Sequence, residues 1–346
     1  RLILVFLLIG SVIYPVTEVK ALLSFEPEAV TQLAWGSGDG QVALIKAPAN
    51  NFGPPRILID ESGVSLYLLD SPNQRIVVFN LENRQLSATV PISSDEQADD
   101  FCVLDHGKHF YLLFNQAKKV VLYNQDGKIL RIYTIDNRFN PLSFQCNQKQ
   151  GFIFQAIDGH FYRFGSDTSL TLIPNGEYGF FLDKQSNSEG TLWLHHYQDN
   201  LSQEIAIERR AGPLETLGFI GIDRNNNVYL TVEETVQKQG TEMVRRFLRK
   251  YTKNGELEAE TEIPYSLFAY TLQDLVVTPS GDVLQMIPLR THLTIVKWVV
   301  VTKTRAFQPL LPQLFSYLTT QADDFLPSET DEKTLMRGGY LPPMAR

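Results

Sequence analysis

The chain has 346 residues, 43% of them hydrophobic and 20% charged, with 31 Lys+Arg against 39 Asp+Glu and a formal charge of -8. The apolar fraction excludes a mostly disordered chain, and the acidic balance excludes a dedicated nucleic-acid binder, which carries a basic patch or stripe. Two cysteines cannot make a disulfide-rich scaffold.

The first element is an apolar run of 15 residues, 2–16 (LILVFLLIGSVIYPV), behind Arg1. It is shorter than the ~20 residues a helix needs to cross a bilayer. Pro15 breaks it, and Val19-Lys20-Ala21 follows, with aliphatic and small residues where a signal peptidase accepts them. The reading is a signal peptide over residues 1–21, cut after Ala21, on an exported protein that is periplasmic or extracellular. Retention of the segment would leave it membrane-anchored.

The body reads as short strands. Apolar runs of 4 to 8 residues, alternating or continuous, are separated by Gly, Asn, Asp, Pro and Ser. Residues 56–60 (RILID), 65–70 (SLYLLD), 75–81 (RIVVFNL), 109–114 (HFYLLF), 119–123 (KVVLY) and 128–135 (KILRIYTI) are examples. Later runs are 151–157, 191–196, 203–208, 227–232 and 291–301, and 241–251 reads as a twisted, partly exposed strand. Turns near Gly63, Gly107, Gly151, Gly190, Asn227 and Gly281 recur at spacings of 44, 44, 39, 37 and 54. A period near 40 with about four strands per unit predicts an all-β, six-bladed β-propeller over residues 22–305. The longest spacing is assigned to an insertion around residues 233–242 (EETVQKQGTE). The last unit supplies three strands, so residues 41–46 (QVALIK) are predicted to pair against 291–301 and close the ring.

Residues 55–79 (PRILIDESGVSLYLLDSPNQRIVVF) carry a more specific pattern: a Pro before the first strand, Ile59-Asp60, the Ser62-Gly63 turn, Leu66-Tyr67, Asp70, Asn73, Arg75 and Phe79. The stretch resembles an NHL-type propeller repeat. The resemblance covers about residues 34–92, and 218–232 and 273–286 repeat its first half. Asn73 is expected to take a positive φ, and Asp70 and Arg75 to pair across the exposed turn for at most ~1 kcal/mol.

From residue 306 the chain changes character. Pro309, Pro312, Pro327, Pro342 and Pro343 accompany acidic residues Asp323, Asp324, Glu329, Asp331 and Glu332, and 306–346 reads as a mostly flexible extension.

The chemistry-bearing residues are scattered. His106, His109, His160, His195, His196 and His292 show no metal-binding spacing, and adjacent His195 and His196 on one strand point to opposite faces. Cys102 and Cys146 lie on the first strands of consecutive units, but at different offsets from the following turn. Two buried thiols are the preferred reading over a disulfide. Asp95, Glu96, Asp99 and Asp100 cluster in SSDEQADD. Oxygen ligands at that density can hold Ca²⁺, which makes Asp95, Asp99 and Asp100 the candidate metal ligands, although a solvated loop is preferred. The first-strand positions Ile57, Phe101, Phe144, Phe180 and Leu275 are apolar, unlike the acidic and Asn side chains that line the channel of lactonase-like propellers. No catalytic constellation or cofactor motif is present in the sequence.

The preferred function is therefore an exported scaffold that binds a protein or peptide partner without catalysis and without a cofactor. Asp95 and Glu96, Glu233 and Glu234, and the aromatic pair Trp193 and Tyr197 are the candidate contacts. The alternatives are a lactonase-like hydrolase or lyase with a channel-bound metal, and a carbohydrate-binding envelope protein.

Overall fold

A computed structural model describes residues 22–47, 50–147, 151–156, 159–164, 170–173, 179–197, 201–238, 241–265 and 268–301. The predicted signal peptide and the C-terminal extension lie outside the described residues. Four strands precede the repeats: β1 (Ser24–Trp35), β2 (Gln41–Val42), β3 (Ile45–Lys46) and β4 (Asn51–Phe52). The first blade is β5–β8 (Ile57–Ile59, Ser65–Asp70, Arg75–Asn80, Gln85–Pro91) and the second β9–β12 (Asp100–Leu104, His109–Phe114, Lys119–Asn124, Ile129–Thr134). The third is β13–β16 (Pro141–Asn147, Gly151–Ala156, Phe161–Phe164, Leu170–Leu172), and the fourth contributes β17–β19 (Gly179–Asp183, Glu189–Tyr197, Leu201–Glu208). The fifth is β20–β23 (Leu214–Ile222, Val228–Lys238, Thr241–Tyr251, Leu257–Ile263), and the sixth contains β24–β26 (Leu275–Val277, Val283–Pro288, His292–Val301). The protein is an all-β, six-bladed propeller.

Each blade hides its apolar residues against the next. Tyr67, Leu69, Ile76 and Val78 of the first blade pack on Phe101, Phe110, Leu112 and Phe114 of the second. Leu284, Met286, Leu293 and Ile295 of the sixth meet Ile57, Leu66, Leu68 and Val77 of the first, which makes the ring continuous across the chain ends. Burial of a Leu, Ile or Phe side chain contributes about 1.5–3 kcal/mol, so these inter-blade layers are the main source of stability. No helix among the described residues is long and apolar enough to cross a membrane.

An N-terminal strand closes the ring, but the strand is β1 rather than residues 41–46. β1 pairs antiparallel with β26 from Ser24↔Val301 to Ala34↔His292. β2 adds only a short parallel edge beyond β1, and Ile45-Lys46 pairs with Asn51-Phe52. Three features hid β1 in the sequence: Glu26, Pro27 and Glu28 break its apolar alternation. All three are tolerable on an outer strand, where Pro27 has no further strand to donate to. Glu28 faces Lys297 across the ladder at 3.0 Å and also pairs with Arg84.

Other expectations are corrected locally. Residues 233–242 do not form an inserted loop. Residues 233–238 continue β21 and 241–242 open β22, paired through Lys238↔Thr241. Positive φ falls on Gln74 at 52°, not on Asn73, whose amide instead donates to Gly36 O and Asp70 Oδ2 at 2.8 Å each. Asp70 is fully buried, accepting also from Arg75 Nε (2.8 Å) and the Ala43 amide (2.9 Å). With Arg75 donating to Gln41 O at 2.7 Å, the pair ties the first blade to the segment after β1.

Candidate functional site

The first strands of the blades surround the centre, and the ionisable side chains at their starts are paired. Arg56, just before β5, directs Nη1 to Asp100 Oδ1 at 2.5 Å and to the carbonyls of Phe144 (3.2 Å) and Phe101 (3.4 Å). Asp100 also accepts from the amides of Phe101 (2.8 Å) and Phe144 (2.9 Å). One carboxylate therefore joins three blades. Two residues further along both strands a disulfide links Cys102 and Cys146, with Cα atoms 6.0 Å apart. The preference for two thiols is overturned. β9 and β13 run side by side in one direction, so positions 100 and 144, then 102 and 146, come level. Offset from Asp105 and Asn147 did not measure height, because Asp105 lies beyond the end of β9 whereas Asn147 is the last residue of β13.

A second cluster joins the fifth and sixth blades. Arg246 grips Asp274 with two bonds of 2.6 and 3.0 Å, Gln285 donates to the same carboxylate at 3.2 Å, and Trp298 Nε1 donates to Gln285 Oε1 at 3.0 Å. A third joins the fifth blade to the end of the fourth, where Arg249 Nη1 donates to Glu208 O at 2.9 Å. Glu234 and Arg249 are both fully buried and 2.6 Å apart, and Arg249 Nε reaches Glu260 at 2.5 Å. Glu234 further accepts the amides of Arg210 (3.0 Å), Ala211 (2.5 Å) and Gly212 (3.0 Å), which holds the connection from the fourth blade to the fifth.

The acidic residues singled out in the sequence thus separate. Asp95 and Glu96 are exposed, and Glu96 pairs with Lys119 at 2.6 Å. Asp99 accepts the Asn115 amide at 2.7 Å, and burial raises its carboxyl above the usual range. Asp100 points inward to Arg56, so the three candidate metal ligands do not share a site. Among the described residues no three of His, Cys, Asp and Glu approach closely enough to hold a metal ion. Glu234 is internal and cannot meet a partner. Glu233 is half-buried beside Tyr265, whose phenol is pushed up by burial first and by this carboxylate second. Trp193 is half-buried on β18, and the register shifts between His195 and Tyr197, which breaks the shared face expected for Trp193 and Tyr197. The Tyr197 side chain lies outside the described residues.

The turns after the first strands form the opposite rim. Asp60 accepts the amides of Gly63 (2.9 Å), Val64 (3.0 Å) and Ser65 (3.1 Å). Asp223 repeats the device with Asn225 (2.8 Å) and Asn227 (3.0 Å) and also receives the Tyr229 hydroxyl at 3.0 Å. A cleft of about 390 Å³ opens between the turns of the first two blades, lined by Asp60, Glu61, Asp105, His106 and Lys108. His109 Nδ1 lies 2.6 Å from Asp105 at its edge.

No protein-family model and no curated protein sequence matches the chain. Among solved structures, a member of the DUF4221 family from Bacteroides vulgatus aligns over 81% of this chain and 99% of its own, at 14% identity and a TM-score of 0.47. The WD40 repeats of RRP9 align over 80% and 100% with 8% identity and a TM-score of 0.45. A streptogramin B lyase aligns over 80% and 98% with 11% identity and a TM-score of 0.42. The strand pairing described above carries the fold independently of these alignments.

Proposed function

We propose that the protein is an exported propeller scaffold of NHL type that binds a protein or peptide partner, without catalysis and without a cofactor. The observation that supports this reading most is the use of the central charges. Asp100, Asp274 and Glu234 are each bound to an arginine, and Asp100 and Glu234 also accept backbone amides. They brace neighbouring segments instead of facing a substrate. Export is supported by the Cys102–Cys146 disulfide, a bond that persists in oxidising compartments, and by the signal-like residues 2–21. Asp95 and Glu96 stand on the exposed connection between the first and second blades and are the residues first offered to a partner.

The test is chemical crosslinking of the full chain in its own cells, with Asp95→Lys/Glu96→Lys beside the unchanged protein. The scaffold reading expects a defined adduct that the double variant loses while its melting temperature stays put. Stoichiometric Ca²⁺ or Zn²⁺ in the purified protein, together with turnover of a lactone or ester, would replace the scaffold with a hydrolase.

A further inference from the structure

The outermost strands of the blades differ sharply. β8 exposes Gln85, Ser87 and Thr89 around one large apolar side chain, Leu86 at 38%, β16 exposes Leu172 beside Thr171, and the β19 edge carries Gln203 and Glu204. β23 is covered where Leu23 bridges Ala259, with Leu23 N donating to Glu258 O at 3.0 Å. β12 is neither polar nor covered. Ile129, Leu130 and Ile132 are 40%, 48% and 55% exposed on it, and no described strand pairs with its outer side. Natural edge strands are normally shortened, charged or covered, because a row of open backbone groups beside apolar side chains templates another strand. The register shift against β11 makes Leu130 a bulge and leaves Arg131–Thr134 as regular ladder.

The charges on this edge define what fits it. Lys128 and Arg131 are exposed, residues 128–135 hold no carboxylate, and no described carboxylate forms an ion pair with Arg131. Its guanidinium rests 4.7 Å from the Tyr133 ring. The strand and its lead-in thus carry two cations and no carboxylate, with Asp126 before them and Asp136, paired to Arg138 at 2.8 Å, beyond their far end, on a chain whose formal charge is -8. Pairing β12 with the β12 of a second copy would bring like charges into one narrow sheet. We infer that β12 is a docking edge for an extended segment of another protein, one that alternates apolar and acidic residues and adds to the second blade as a fifth strand. The inference rests on the scaffold reading and names the surface and the chemistry of its partner.

The probe is a fluorescent peptide of about nine residues alternating Val and Glu, with a Val/Lys peptide as its counterpart. Fluorescence anisotropy against the full chain should show the acidic peptide binding and the basic one not. Arg131→Glu should weaken the acidic peptide at least about tenfold, as attraction becomes repulsion, and Ile132→Ser should weaken it without changing charge preference. Both side chains are exposed, so the melting temperature should hold. Equal binding of the two peptides, no binding of either, or indifference to both substitutions would overturn the inference, as would a dimer abolished by Ile132→Ser. A photo-crosslinking residue at Ile132, and separately at Asp95, distinguishes the two levels. An adduct from Asp95 alone removes the docking edge and keeps the scaffold, and no adduct from either position removes both.

Discussion

Two buried arginines do different work in this ring. Arg56 holds strands of three blades through one aspartate 44 positions away, and has carbonyls to fall back on. Arg249 ties the fifth blade to the end of the fourth: between Glu234 and Glu260 it also donates Nη1 to Glu208 O at 2.9 Å, and the glutamate it neutralises pins three successive amides of the incoming connection. The first is a clamp among the central strands of three blades, and the second a clamp on the junction between the fourth and fifth. A buried pair adds little compared with a well-packed apolar replacement, but breaking one partner leaves an uncompensated charge. The two clamps should therefore fail in different places when broken.

The largest effect is expected from Glu234→Ala, about 3–5 kcal/mol, because a fully buried guanidinium and three amides lose their acceptor together. Hydrogen exchange should rise first around residues 209–213. An increase spread evenly over the ring would remove the distinction between the clamps. Next comes Cys102→Ser/Cys146→Ser, about 2–4 kcal/mol by denaturant unfolding, since the bond closes a loop with a sequence separation of 44. Its cost should not add to that of Asp100→Asn, because both act on the contact of β9 with β13. Simple additivity would separate disulfide and clamp.

A smaller, pH-dependent effect belongs to the fifth blade. Burial pushes the Tyr251 phenol up to about 12, and Tyr229 rises further still, by burial and then by the Asp223 carboxylate. A folded-state value above the unfolded one contributes stability that is complete below pH 10 and lost as pH rises through the folded value. Melting temperatures should fall between pH 10 and 12, and Tyr251→Phe should flatten that fall. An unchanged slope would assign the alkaline loss elsewhere. The smallest effect is expected at the ring closure: Glu28→Gln should cost under about 1 kcal/mol and vanish in high salt, as Lys297 and Arg84 hold that carboxylate low from an exposed position. A larger, salt-insensitive loss would make the closing strand depend on charge instead of on Phe25 and Leu33.

The blades were legible because their signal is local. Gly63, Gly107 and Gly281 mark turns that need positive φ, and alternating apolar residues mark the strands between them. The closing strand was less legible, because its partner β26 lies more than 250 residues away and an outer strand tolerates Pro27 and two glutamates. The clamps were not legible at all. Asp100 and Glu234 each sit beside another acidic residue that faces water or the rim, and a run such as SSDEQADD looks uniformly solvated. Alternation along β9 and β21 turns one member of each acidic pair inward, and only the remote arginines 56 and 249 show which. A buried carboxylate is known by its partner, and that partner is set by blade-to-blade contact, not by spacing in the chain.

The central claim is that the inner acidic residues brace the ring, and a double-mutant cycle on Arg56→Met and Asp100→Leu tests it most directly. Stability should fall steeply for each single change and recover in part when both are made, with a coupling of at least about 2 kcal/mol. Costs that simply add, with a coupling below about 0.5 kcal/mol, would contradict the account.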